Sequence, residues 1–168
     1  ELRITGELLS DGSDGLHLRR VRLLAEPLDL GQASQSGYSF FMNGYQSWTA
    51  SHSLRANEGE RVPIWDPLIE MQDNLRNRPD GRKGCLRADL FAVVGNLDAK
   101  AFALIGQTAG FRQMVYVRAI FAKGPKAGPN VEVVWDFDGR LLAAGERLPL
   151  DEVRVLFDTH ANRVQERY

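Results

Sequence analysis

Alternation of apolar and polar residues, repeated along most of the chain, is the feature that most limits how it can fold. The first two such stretches are residues 2–8 and 16–23, and the Asp-Gly pairs at 11–12 and 14–15 supply turn signals between them. Successive side chains of a strand point to opposite faces, so this pattern predicts strands with one buried face. The second stretch loses its alternation at Arg19 and Arg20, which predicts a β-bulge there.

Further stretches share this strand pattern and are separated by turn-forming residues; they are residues 38–42, 86–94, 101–105, 111–122, 131–137 and 147–157. The Asp138-Gly139 pair is expected to make the turn after residues 131–137. Many short strands with no helices between them predict an all-β fold, namely an antiparallel β-sandwich formed by residues 1–156. A closed β-barrel fits the same pattern.

Residues 49–84 do not follow the alternation. They are polar and contain Pro63, Pro67 and Pro79, with Trp65 and Met71 as isolated apolar residues. Long segments of this kind inside a compact domain are usually functional or poorly ordered. We expect a long excursion on one face of the sandwich, with one short strand around residues 64–71.

The last residues, 157–168, change period. Phe157, Ala161, Val164 and Tyr168 are spaced as one face of a helix, and Asp158 or Thr159 can serve as its N-cap. The apolar stripe is still running at Tyr168. We therefore expect residues 157–168 to begin a linker helix, and the natural polypeptide to continue beyond it.

Composition excludes several classes of protein. The 168 residues suit a single domain, and the net charge of −1 without a basic cluster argues against a nucleic-acid partner. No apolar stretch approaches the ~20 residues of a membrane span, and no signal peptide is visible. The single cysteine, Cys85, excludes an internal disulfide, so a cytoplasmic location is the expectation.

Paired carboxyl groups are the first kind of catalytic group to consider. Asp136 and Asp138 are two residues apart, and on a strand they would project to the same face. Glycoside hydrolysis uses two carboxyl groups at a fixed separation. A polar strand face leading into the Asp-Gly turn is the interpretation that we prefer for this pair.

The three histidines, His17, His52 and His160, lack the spacing of metal ligands, and no Gly-x-Ser-x-Gly motif is present. We expect no metal and no cofactor. His52 is the one histidine close in sequence to the motif described next, and we keep it as a candidate for ligand contact because binding residues are often found on loops.

The most specific motif is Asn43-Gly44-Tyr45-Gln46-Ser47-Trp48, which follows the apolar stretch 38–42. Asn-Gly is a strong turn signal. Trp48 offers a flat apolar face for the C–H patch of a sugar ring, and the amides of Asn43 and Gln46 can hold its hydroxyl groups. A hairpin whose aromatic residues fold back onto the core is the alternative interpretation.

The motif resembles the Asn-Gly-Tyr-Gln-Ser-Trp stretch in the N-terminal domain of glycoside hydrolase family 36, the α-galactosidases. The layout agrees: a long β-rich segment follows, and an acidic, apolar strand and a helix-like segment close the chain. The resemblance implies a β-sandwich of the supersandwich type that packs on a following (β/α)8 barrel. That barrel would supply the two aspartates of a retaining reaction, so no catalytic residue is expected in this chain.

The resemblance also implies roles for the motif. A loop of the sandwich reaches over the sugar pocket of the barrel, and Trp48 would line that pocket. Gln46 and Asn43 either contact the sugar or brace the loop through backbone hydrogen bonds, while Tyr45 suits packing in the core or between domains.

We therefore expect a non-catalytic N-terminal domain of an α-galactosidase-like enzyme. Its partners would be an α-galactoside and the C-terminal barrel of the same polypeptide, with assembly into a homo-oligomer left open. Two alternatives remain. One is a free-standing carbohydrate-binding sandwich, and the other is a structural interaction domain in which Trp48 is buried against a partner.

Overall fold

The computed structural model describes residues 1–43, 51–58, 84–110, 112–121 and 128–168, without the side chains of residues 24–26 and 35. The expected roles of Tyr45, Gln46 and Trp48, and the strand expected around residues 64–71, lie outside these ranges.

The described residues form strands and one α-helix. In chain order the strands are β1 (Leu2–Ile4), β2 (Glu7–Leu9), β3 (Leu16–Pro27), β4 (Tyr38–Met42), β5 (His52–Arg55), β6 (Cys85–Asp89), β7 (Phe91–Asn96), β8 (Ala101–Ala109), β9 (Met114–Ile120), β10 (Asn130–Leu142), β11 (Arg147–Pro149) and β12 (Glu152–Asp158). The helix, α1, comprises Ala161–Glu166, and a 3-10 turn precedes β4 at Gln35–Gly37.

The strands form two larger sheets and one two-stranded sheet. The first sheet has the order β1-β12-β8-β7-β4-β5, the second has the order β3-β10-β9-β6, and β2 pairs with β11. All the described strand pairs are antiparallel, which confirms the all-β prediction. The two larger sheets share one hydrophobic core, in the manner of a sandwich, and no described ladder joins them into a closed barrel.

Alternation along each strand decides which side chains enter that core. In β4 the side chains of Phe40 and Met42 are buried while Phe41, between them, faces the outer side of its sheet. Trp135 of β10 is among the largest fully buried side chains, and its indole N–H donates to the carbonyl oxygen of Asp151 at 2.9 Å. A buried indole needs such an acceptor, so this bond lets a large aromatic residue fill the core.

The single strand predicted for residues 86–94 is wrong, because the chain changes sheet at Leu90. Leu90 has φ +66°, a conformation that a leucine rarely adopts. Its N–H donates to the carbonyl of Val115 at 2.9 Å, and its own carbonyl accepts from the N–H of Gln107 at 2.9 Å. Leu90 is thus a corner that sends β6 into one sheet and β7 into the other. The stretches 2–8 and 147–157 are likewise divided, into β1 and β2 and into β11 and β12.

The Asp138-Gly139 pair lies within β10 and does not end it, so the predicted turn is wrong. Both residues have positive φ, +50° and +78°, and the register with β3 shifts between Asp136 and Arg140. This shift lies opposite Arg19, but its two extra residues belong to β10, so the bulge predicted at Arg19 and Arg20 is found on the partner strand. A positive-φ pair can serve a bulge as well as a turn, because both need the same backbone conformation.

Part of the segment expected to be an irregular excursion is a strand. Residues 52–55 form β5, which pairs with β4 in the register Phe40 with Leu54 and Met42 with His52. Leu54 packs against the core beside Phe40, which explains why this short polar stretch extends the sheet.

The helix begins later than predicted. Phe157 belongs to β12, and His160 occupies the N-cap position in place of Asp158 or Thr159. The Asp158 carboxylate nevertheless accepts a hydrogen bond from the N–H of His160 at 3.1 Å. Val164 is fully buried on the outer face of the six-stranded sheet, in a small cluster with Val93, Leu104 and Leu156. Within the described residues, no helix has the length and apolarity that crossing a membrane would need.

Candidate functional site

The hairpin of β4 and β5 carries the sequence motif in its loop. The last ladder pair is Met42 with His52, so the loop comprises residues 43–51. Its two ends are Asn43 and Ser51, and the Ser51 hydroxyl donates to the Asn43 side-chain oxygen at 3.3 Å. We call Asn43 and Ser51 the loop base.

Asn43 joins the loop base to the end of β6. Its side-chain amide donates to the carbonyl oxygen of Asp89 at 3.1 Å, and its own carbonyl accepts from the N–H of Asp89 at 3.0 Å. Both backbone groups of Asp89 are therefore bonded to one asparagine. This geometry matches the bracing role that the motif allowed for Asn43.

Asp89 is itself held by a buried ion pair. Arg87 donates to one carboxylate oxygen of Asp89 from Nε at 3.1 Å and from Nη2 at 2.8 Å. The two side chains are only 8% and 10% exposed. The guanidinium of Arg87 also lies 4.0 Å from the ring centre of Tyr116, in cation–π geometry. Sequence alternation placed Arg87 and Asp89 on one face of a strand but gave no signal of their burial.

Of the other predicted site residues, His52 is among the described residues, whereas Gln46 and Trp48 are not. His52 is half-buried in β5, on the same sheet face as Met42, and so lies on a strand beside the loop base. Gln46 and Trp48 lie in the loop at positions outside the described residues.

A row of aromatic rings connects the hairpin to the end of α1. The rings of Phe41 and Phe91 are stacked with their centres 6.0 Å apart, and the rings of Phe91 and Tyr168 are 5.2 Å apart. The Tyr168 hydroxyl donates to the carbonyl of Gln107. Phe41 lies two residues before the loop base, and Phe91 lies two residues after Asp89. The loop base and the end of α1 therefore meet at the same corner of the sandwich.

Gly106 makes room for this row. A Cβ at this position would lie 2.6 Å from the Cβ of Phe91 and 2.8 Å from the ring of Tyr168, closer than real contacts allow. The missing side chain thus permits the tyrosine ring to lie on the sheet next to Phe91.

A second buried polar cluster lies on the other side of Gln107. Asp151 is fully buried, and its carboxylate accepts from the side chain of Gln107 at 2.8 Å, from the backbone N–H of Arg112 at 2.6 Å and from that of Gln113 at 3.0 Å. The Arg112 side chain adds a bond at 3.0 Å. Gly110, with φ +101°, lies against the carboxylate so closely that a Cβ would overlap it. The cluster connects β8 to the residues that immediately precede β9 and β12, and nothing in the sequence indicated it.

Asp136 and Asp138 do not form a paired catalytic site. The Asp136 carboxylate accepts from Arg20 Nε at 2.8 Å and from the backbone N–H of Asp138 at 3.1 Å. Asp138 itself is exposed at the bulge of β10. The preferred interpretation, a polar strand face, agrees with this geometry.

The remaining histidines lie far apart in the fold. His17 Nδ1 is 3.3 Å from the carbonyl oxygen of Gly139, and His160 occupies the N-cap position of α1, where its side chain makes no capping hydrogen bond. Across the part of the chain that the structure describes, no three His, Cys, Asp or Glu side chains are grouped in a way that would hold a metal ion.

Comparison with known proteins identified no relative of this chain. No family model matches the chain, and neither a curated protein nor a solved structure matches it.

Proposed function

We propose that this chain is the non-catalytic N-terminal β-sandwich of an α-galactosidase-like retaining glycosidase, located in the cytoplasm. In this proposal the loop 43–51 reaches the sugar pocket of a (β/α)8 barrel that follows residue 168. Trp48 forms one wall of the pocket for the non-reducing galactose, and the barrel supplies the catalytic carboxylates.

The meeting of the loop base with the end of α1 is the observation that most supports this proposal. A segment that follows Tyr168 would start at the corner formed by Phe91 and Asp89, to which Asn43 is bonded. A loop that leaves the sandwich near the point where the next domain begins is in a position to complete a pocket of that domain. The described geometry is consistent with this arrangement.

The hydrogen bonds of the Asn43 side chain support different roles for the residues of the motif. Its amide is bonded to Asp89 and Ser51, so we assign Asn43 to bracing the loop. Sugar contact then falls to Trp48 and Gln46, and His52 lies at the margin of the site.

The proposal is tested by replacing Trp48 in the polypeptide that joins this domain to its barrel. We expect Trp48→Ala to lower kcat/KM for an α-galactoside about tenfold or more, since removing an aromatic contact costs roughly 1.5–3 kcal/mol. Trp48→Phe keeps a flat apolar ring and serves as the matched control, with an expected loss of about threefold or less.

Unchanged hydrolysis by Trp48→Ala would contradict the pocket role. The free-standing carbohydrate-binding alternative predicts a different result, namely that galactose shifts the tryptophan fluorescence of this chain alone. Trp65 and the buried Trp135 also fluoresce, so the Trp48→Phe variant, which should lose the shift, identifies Trp48 as its source. The structural-interaction alternative predicts that neither assay responds and that Trp48→Ala weakens binding of a partner protein.

A further inference from the structure

The buried pair of Arg87 and Asp89 is unusual for its position. It lies on the outer face of the four-stranded sheet, where charged side chains normally reach into solvent. The side chains of a second pair on that face, Arg20 and Asp136, are 34% and 22% exposed, against 8% and 10% for Arg87 and Asp89. Burial of charge is unfavourable unless the partners keep good geometry, so the buried pair tolerates little change of position.

The pair constrains the backbone that carries the loop base. Two hydrogen bonds from Arg87 fix the Asp89 carboxylate, and both backbone groups of Asp89 are bonded to Asn43. The next residue, Leu90, has a positive φ that persists only where the surroundings hold it. A chain of contacts thus runs from the ring of Tyr116 through Arg87 and Asp89 to the start of the loop.

We propose that Arg87 and Asp89 are positioning residues for the loop 43–51, holding its base at a fixed place on the corner where Tyr168 also lies. Their effect on the loop would be exerted through Asn43. This inference rests on the proposed function only for what the loop contacts, and the positioning itself is independent of any ligand. A loop base held in one place reduces the conformational freedom that is lost when a ligand binds.

Hydrogen exchange of the chain without ligand tests the positioning directly. Asp89→Asn keeps the backbone groups that bond to Asn43 but removes the charge that Arg87 holds. We expect amides in residues 43–52 to exchange at least about tenfold faster in this variant, while amides in β10 change by about twofold or less. Asp136→Asn makes the same chemical change in the exposed pair and is expected to leave residues 43–52 unchanged.

A second variant keeps the test decisive if Asp89→Asn does not fold. Arg87→Lys keeps a positive charge but cannot donate the two guanidinium hydrogen bonds to the Asp89 carboxylate, and we expect the same local acceleration. Exchange of residues 43–52 that stays unchanged in a folded Asp89→Asn or Arg87→Lys variant overturns the proposal. An equal acceleration in Asp136→Asn overturns it as well.

Kinetics separate this inference from the proposed function. In the polypeptide with its barrel, Asp89→Asn should raise KM for an α-galactoside about tenfold and change kcat by about twofold or less, because the barrel performs the chemistry. Rescue is expected from Asp89→Glu, which keeps the charge for Arg87, with KM returning to within about threefold of the original. Faster exchange with an unchanged KM would leave the positioning intact and contradict the sugar role of the loop.

Discussion

Several buried polar contacts converge on Asp151. Its carboxylate accepts bonds from Gln107, Gln113 and Arg112, and its carbonyl accepts from Trp135. The carboxylate is fully buried, whereas the Arg112 side chain is 50% exposed. Hydrogen bonds to a charged acceptor are stronger than neutral ones, and the stabilisation therefore comes chiefly from the several N–H donors that face this group.

We predict that Asp151→Asn destabilises the protein by about 3 kcal/mol. The amide that replaces one carboxylate oxygen would point N–H groups at existing donors and leave them without an acceptor. The free energy of unfolding in urea measures this loss.

Asp136→Asn is the comparison for this prediction. It removes a partly exposed ion pair, which contributes about 1 kcal/mol or less. If the two substitutions lower the free energy of unfolding equally, the hydrogen bonds to Asp151 contribute no more stability than one surface ion pair.

The helix α1 is too short to be stable by itself, so its contacts with the sheet decide whether it forms. Val164 is buried against the six-stranded sheet, and Tyr168 lies against Phe91 and donates to the carbonyl of Gln107. Isolated helices shorter than about 12 residues are marginal in water. The helix therefore depends on its two anchoring side chains.

High pH should release α1. Burial raises the pKa of the Tyr168 hydroxyl above its usual value, so the folded state holds this proton more tightly than the unfolded state does. The corresponding stability is fully present below pH ~10, the unfolded pKa, and is lost as the pH rises through the folded pKa. Absorbance at 295 nm, followed together with hydrogen exchange of residues 161–168, should show late ionisation coupled to helix opening.

Tyr168→Phe is the control for this titration. It keeps the ring against Phe91 and removes the ionisable group, so helix opening above pH ~10 should disappear while Tyr38, whose pKa is also raised by burial, still titrates late. Helix opening at the same pH in the phenylalanine variant would contradict the assignment to Tyr168.

At the scale of the whole molecule, a short N-terminal strand protects a longer one. Strand β1 has three residues and pairs with β12 in the register Leu2 with Val155 and Ile4 with Val153. Without β1, the seven-residue β12 would become the edge of the six-stranded sheet. An edge strand of this length exposes unpaired backbone N–H and C=O groups, which can pair with a strand of another chain.

Removal of residues 1–5 should therefore cause self-association, seen as concentration-dependent growth of mass in sedimentation or light scattering. Arg3→Ala is the matched control, because it removes the exposed contact with Glu1 at 3.1 Å but keeps the backbone pairing of β1. A shortened chain that stays monomeric at high concentration would show that β12 is protected in another way.

The sequence allowed the fold class to be predicted, but not the breaks in its strands. Alternation correctly located β4, because Phe40 and Met42 point inward and Phe41 does not. The corner at Leu90 could not be found in this way, since a leucine carries no sign of a positive φ. That conformation is imposed by distant partners, Val115 and Gln107.

The candidate site was predictable to a smaller degree. The motif correctly indicated a hairpin loop after β4. The bracing role of Asn43 is assigned from the hydrogen bonds that it makes in the structure. Arg87 and Asp89 read as ordinary residues of a strand, because their burial depends on Tyr116 of a neighbouring strand nearly thirty residues later. Asp151 was missed for the same reason, since its partners Gln107 and Gln113 are 44 and 38 residues away in sequence.

The place of β12 between β1 and β8 has a consequence for synthesis on the ribosome. Strand β1 is made before the other described strands of its sheet but has no neighbour there until residues 152–158 have been made. At about 5–20 residues per second, the wait for most of this chain is roughly 10–30 s. During that interval β1 presents an open edge to other nascent chains, and β8 adds a second open edge once residues 101–109 have been made. A holding chaperone that covers extended apolar segments would be most useful to this protein in the seconds before its last strand appears.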